Sequence, residues 1–134
     1  MNTMSEDQRR FMQTGNQTTN ELNTSQLFLY QNLIEEEVEE LQEALNIYSD
    51  SEYTNGEEVL KEATDVLVVT LGLIWSMGVN PQNVWNLVHA NNMSKVTDIV
   101  VKDESGKIMK SPESKVRKEK MMQDIKELLN ENIS

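Results

Sequence analysis

Two segments decide how this chain folds: Leu33-Ile34-Glu35-Glu36-Glu37-Val38-Glu39-Glu40-Leu41 and Glu62-Ala63-Thr64-Asp65-Val66-Leu67-Val68-Val69. Each carries apolar residues at helical steps. Between them lies a turn-rich run, Ser49-Asp50-Ser51-Glu52-Tyr53-Thr54-Asn55-Gly56. A helical hairpin folded back about residue 51 sets Glu37 opposite Asp65 and Glu40 opposite Glu62. Within each helix the two acids are three residues apart, so they share a face. Four carboxylates then converge on one place. They repel strongly in a low-dielectric interior unless cations sit among them. Hard oxygen donors of this kind suit Mg²⁺ or Mn²⁺.

The five glutamates between Glu35 and Glu40 are not equivalent. With Ile34 at the zero of a helical wheel, Leu41 falls at roughly −20°, Glu37 at roughly −60° and Glu40 at roughly −120°. Glu37 is therefore inside the core-facing arc and Glu40 at its edge. Glu36 lies further out, at roughly −160°. Glu35 and Glu39 point to the other side, and solvation accounts for both.

Outward from these segments the chain reads as helix after helix. The first long helix starts at Thr24 or Ser25 and runs to about Tyr48, with a stripe of Leu27, Tyr30, Ile34, Val38, Leu41, Leu45 and Tyr48. A short helix over residues 5–14 precedes it, with Ser5 as N-cap and Gly15 as its stop, followed by a polar loop. The second long helix runs from Asn55 or Gly56 to Met77. Glu57 and Glu58 suit its positive end. Its second half, Val66 to Trp75, is apolar nearly all round, which calls for burial on several sides. Gly78 ends it, Asn80 caps the next helix and Pro81 opens it. That third long helix continues to about Asn92, with Val84, Leu87 and Val88 inward. Gly106 then marks a turn between short extended pieces. A last helix covers 112–131 on a sparse stripe of Val116, Met121, Ile125, Leu128 and Leu129, as a peripheral element or a contact with a partner subunit. The expectation is an all-α fold with a four-helix bundle-like core over about 5–95. A turn segment over 96–110 and a C-terminal helix over 111–134 complete one domain of 134 residues.

Composition narrows the function. The chain has no cysteine, which excludes disulfides and thiolate metal sites. A net charge of −11 argues against a general nucleic-acid binder. The N-terminus lacks the apolar core of a signal peptide. The apolar run Val66 to Val79 is broken by Thr70, Gly72 and Ser76 and falls short of the roughly 20 residues a membrane span needs. The expectation is a soluble, cytoplasmic protein with no membrane and no nucleic-acid partner.

The pattern Glu36-Glu37-x-x-Glu40 followed by Glu62-x-x-Asp65 resembles the all-α nucleoside triphosphate pyrophosphohydrolases. These are the MazG-like proteins, related to phosphoribosyl-ATP pyrophosphohydrolase and the dimeric dUTPases. The segment His89-Ala90-Asn91-Asn92-Met93-Ser94-Lys95 looks like the His-x-x-Asn-Met-Ser-Lys signature of one MazG-like branch. That branch often continues with a Gly-Lys turn, similar to Gly106-Lys107 and Lys110 here. Lys110-Ser111-Pro112-Glu113 departs from the Gly-Pro-Asn-type segment usual there, so Lys110 matches less well than Lys95. The resemblance implies that Glu37, Glu40, Glu62 and Asp65 bind Mg²⁺ and that Glu36 is the base for the attacking water. It implies that Lys95 binds phosphate, with Lys107 and Lys110, and that Asn91 or Asn92 bonds phosphate or sugar. Gly15-Asn16-Gln17 resembles a Gly-Gln element of related proteins, which implies a base contact for Gln17; a plain loop residue fits equally. The activity implied is Mg²⁺-dependent hydrolysis of a nucleoside or deoxynucleoside triphosphate to the monophosphate and pyrophosphate, by a homodimer or homotetramer. The rival is a non-catalytic oligomeric helical module that keeps the fold. It accounts for the helices but gives no reason for four convergent carboxylates. Trp75 and Trp85 read as packing residues and the methionines as gap-fillers.

Overall fold

The computed structural model describes residues 2–97, 103–107 and 112–131. Among the described residues there are five helices: α1 (Met4–Thr14), α2 (Thr24–Asp50), α3 (Glu57–Ser76), α4 (Pro81–Thr97) and α5 (Pro112–Asn130). The all-α expectation holds: among the described residues there is no strand, only one isolated antiparallel bridge between Leu22 and Met77. The chain divides into two compact units, Met1–Val79 with α1 to α3 and Asn80–Ser134 with α4 and α5.

In the first unit α2 and α3 form the expected antiparallel hairpin, and α1 packs on α3. Met12, Tyr30, Val69 and Trp75 are the buried centre, flanked by Leu33, Ile34 and Leu73. Gly72 decides how closely the long helices approach. A Cβ there would collide with the Tyr30 ring, so only glycine lets that ring lie on the α3 backbone. The Tyr30 hydroxyl donates to Gln17 Oε1 at 2.6 Å. Gln26 ties the loop before α2 to the end of α3: its Nε2 donates to the Thr18 carbonyl at 2.7 Å and to Ser76 Oγ at 2.9 Å, and its Oε1 accepts from the Thr18 N–H at 3.0 Å. Gly78 takes φ +76°, and a Cβ there would press on the Glu21 backbone.

Several boundaries move for physical reasons. Thr3, not Ser5, caps α1, its side chain accepting the Glu6 N–H at 3.1 Å. Ser5 is instead buried, and its carbonyl accepts from Trp75 Nε1 at 3.0 Å. The inward stripe of α2 also shifts. Val38 and Leu45 are 47% and 40% exposed, while Tyr30 and Ala44 are buried and Ile34, Glu37, Leu41 and Tyr48 are half-buried. The packed line thus steps by four and three through Tyr30, Ile34, Glu37, Leu41, Ala44 and Tyr48. Glu37 occupies a seam position where an apolar side chain would be expected.

In the second unit Asn80 Oδ1 accepts the Gln82 N–H at 2.9 Å, the cap expected there. Val84, Leu87 and Val88 are half-buried as expected. The helix runs five residues past Asn92, to Thr97, because nothing from Met93 to Val96 breaks it. α5 packs on α4. Met121, Ile125 and Leu128 are half-buried, whereas Val116 is exposed, so the expected stripe of α5 begins later than Val116. Gly106 does mark a turn, at φ +86°, where Asp103 Oδ1 accepts from the Ser105 and Lys107 N–H groups at 2.9 Å each. The extended pieces expected beside it lie outside the described residues, as does Lys110.

Candidate metal centre and active site

The α2–α3 hairpin brings Glu37, Glu40 and Glu62 together. One carboxylate oxygen from each lies within 4.8 Å of the others. Glu62 is 7% exposed, Glu37 half-buried and Glu40 exposed, so the cluster grades from the seam to the surface. Glu40 faces Glu62 across the hairpin, as the register about residue 51 requires. The bond to Glu62, then the charges of Glu37 and Glu62, push the Glu40 carboxyl from its ordinary 4.5 up to about 7.

Asp65, the fourth expected ligand, stands one turn further along α3. Its Oδ2 accepts from Lys61 Nζ at 3.0 Å, and the same ammonium lies 3.3 Å from Glu62 Oε1. Lys61 is raised above its ordinary value by the bonds to Asp65 and Glu62. A single cation therefore offsets part of the charge on the α3 side, and sequence reasoning passed over it. The signal was present: Lys61 precedes Asp65 by four residues, the spacing of a helical ion pair.

Lys61 does not complete the cluster. Glu37 Oε2 and Glu62 Oε2 are buried and accept no hydrogen bond. Buried carboxylate oxygens are costly when unmatched. Two such atoms beside the surface carboxylate of Glu40 fit a divalent cation with oxygen ligands. The donor set contains no sulfur and no imidazole, which matches Mg²⁺, Ca²⁺ or Mn²⁺ rather than a softer metal.

With the fold and this cluster described, the comparison with known families is decisive. Residues 2–92 match the phosphoribosyl-ATP pyrophosphohydrolase family. The chain belongs to that family. It lies within the MazG-like all-α nucleoside triphosphate pyrophosphohydrolase superfamily, and membership supports pyrophosphohydrolase activity in general terms. No curated protein matched the chain. The family match takes in all the expected acidic residues, Gln17, Asn91 and Asn92; Lys95, Lys107, Lys110 and the whole of α5 lie beyond it.

The remaining expected residues fall as follows. Glu36, like Glu35 and Glu39, is exposed on α2, next in sequence to Glu37. Gln17 is half-buried, and its Oε1 accepts from the Tyr30 hydroxyl. Asn91 is buried, Asn92 exposed and Lys95 half-buried, all three lining one cavity of the second unit with residues of α5. Lys107 is exposed in the 103–107 turn.

Proposed function

We propose that this family member hydrolyses a nucleoside or deoxynucleoside triphosphate at the α–β phosphoanhydride, giving the monophosphate and pyrophosphate with Mg²⁺. The observation that carries this reading is the pair of buried, unmatched oxygens on Glu37 and Glu62, aligned across the hairpin with Glu40. Glu37, Glu40, Glu62 and Asp65 would hold Mg²⁺ (Mn²⁺ fits the same ligands). Bound Mg²⁺ supplies Lewis acidity, lowers the pKa of water and neutralises the polyphosphate. Glu36 takes the proton as the water oxygen bonds to phosphorus and the bridging P–O bond breaks. Its exposure keeps it in contact with solvent water. Lys95 acts on phosphate as a point charge, with Lys107 and Lys110 as further cations and Asn91, Asn92 and Gln17 as polar contacts.

The working form is a homodimer or homotetramer. Phe28, Val38, Leu60 and Leu67 on α2 and α3 are exposed apolar side chains that a second copy would cover. We read the protein as cytoplasmic; no helix among the described residues is long and apolar enough to cross a membrane. A non-catalytic helical module has no use for the unmatched oxygens. The test is pyrophosphate release from a panel of ribo- and deoxyribonucleoside triphosphates, with Mg²⁺ and with chelator. Release from at least one, abolished by chelator, supports the reading. No release from any overturns it.

A further inference from the structure

The two helices that carry the acidic cluster are almost devoid of cations. α2 has seven carboxylates and no Lys or Arg, and α3 has four carboxylates and a single Lys, Lys61. That one ammonium lies at the cluster, 3.0 Å from Asp65 Oδ2 and 3.3 Å from Glu62 Oε1. The Asp65 contact has the ordinary four-residue spacing of a helical ion pair. The Glu62 contact does not. Sequence neighbours do not face each other on a helix, so the charge of the carboxylate, rather than helix geometry, draws the ammonium there. Glu62 in turn divides its oxygens: Oε1 is on Lys61, while Oε2 is buried and accepts no hydrogen bond. Lys61 neutralises one side of a buried acid and leaves the other side for a further cation.

Two effects of this ammonium on a divalent ion oppose each other. By holding Glu62 Oε1 it steadies the carboxylate, which favours a metal on the remaining oxygens. By carrying a positive charge beside them it repels that metal and competes for the same acids. The Lys61 side chain is 63% exposed, and an exposed ion pair restrains its partners little. Repulsion acts on both charges of the incoming ion and adds to the competition, so these two together outweigh the steadying effect. We propose that Lys61 is a tethered counter-cation of the metal centre: it neutralises Glu62 and Asp65 in the metal-free protein and weakens the binding of Mg²⁺ to the cluster. It thereby sets the Mg²⁺ concentration at which the centre fills. The proposal rests on the reading of the cluster as a metal centre.

The test is calorimetric titration of Mg²⁺ into the full chain at pH 8, for wild type, Lys61→Met, Lys61→Arg and Arg10→Met, with urea unfolding of each in EDTA. Methionine matches lysine in helix propensity and removes its charge. Lys61→Met binds Mg²⁺ at least threefold more tightly than wild type, yet in EDTA it unfolds at a lower urea concentration, because the acids have lost their counter-charge. A merely structural lysine gives no such opposition of signs. Lys61→Arg keeps the charge and stays within twofold of wild type in Mg²⁺ affinity. Arg10→Met removes an exposed charge from α1 of the same unit and also stays within twofold. A gain under threefold or a loss of affinity in Lys61→Met overturns the proposal. So does an equal gain in Lys61→Arg or Arg10→Met, or a Lys61→Met protein as stable as wild type in EDTA. Wild type that binds no Mg²⁺ sinks the metal centre and this proposal with it; wild type that binds Mg²⁺ no more weakly than Lys61→Met sinks this proposal alone.

Discussion

Replacing Glu37 with Gln keeps the shape of the side chain and removes its charge, and the geometry sets the size of the effect. The ligand oxygens of Glu37 and Glu62 are within 4.8 Å, and Glu62 is buried. Two unit charges at that separation repel by about 0.9 kcal/mol in bulk water and about 3.5 kcal/mol at an effective dielectric constant near 20. At pH 8 in EDTA, above the Glu40 value of about 7, Glu37→Gln should raise unfolding stability by about 1–3 kcal/mol. Saturating Mg²⁺ should reverse the order. At a hundred times its Kd the ion stabilises the wild type by about 2.7 kcal/mol, and the variant, short of a ligand, gains less than half of that. Urea unfolding followed by far-UV circular dichroism, with EDTA and across a Mg²⁺ series, reads both effects. A Glu37→Gln protein less stable than wild type in EDTA would refute the argument, because the carboxylates would then be a self-sufficient hydrogen-bonded cluster.

Glu36→Gln should leave Mg²⁺ affinity unchanged while turnover falls about 10²- to 10⁴-fold; Glu35→Gln, the exposed control, should do little, and equal losses in both would mean the register of α2 is wrong. Protonation should oppose metal binding. The folded chain keeps the Glu40 proton up to about 7 while the unfolded chain releases it near 4.5, so metal-free stability should fall as pH rises through that window and then level off. Mg²⁺ should bind more weakly at pH 6 than at pH 8 and release about one proton at pH 6, which calorimetry in two buffers of different ionisation enthalpy measures. Gly72→Ala should cost about 1–3 kcal/mol in urea unfolding, since the new methyl group displaces the Tyr30 ring; a loss under about 0.5 kcal/mol would show that the long helices separate freely.

Most of the helical hairpin was legible because its signals are local. Apolar periodicity, the Asn80-Pro81 start and the Gly78 stop located α2, α3 and α4 and set Glu40 against Glu62. What escaped depends on contacts between distant segments. Ser5 reads as a cap, yet the chain uses its carbonyl for Trp75, seventy residues on. Val38 and Leu45 look inward on an ideal wheel, but over the 27 residues of α2 the packed line drifts onto Glu37 and Ala44. Gly72 looked like an interruption in an apolar run, and its purpose appears only with the Tyr30 ring above it. At the candidate site, the acids were found by spacing, while Lys61 was overlooked because a lysine on an acidic helix normally signals nothing beyond solvation.

Anomalous diffraction from crystals grown with Mn²⁺ tests the central claim most directly. The account predicts a Mn²⁺ peak bonded to Glu37, Glu40 and Glu62, at Mg²⁺-like oxygen distances of about 2.0–2.2 Å, lost in Glu37→Gln/Glu62→Gln crystals. Mn²⁺ bound elsewhere, with Lys61 still bridging Glu62 and Asp65 and the Glu37 and Glu62 oxygens unliganded, would contradict it.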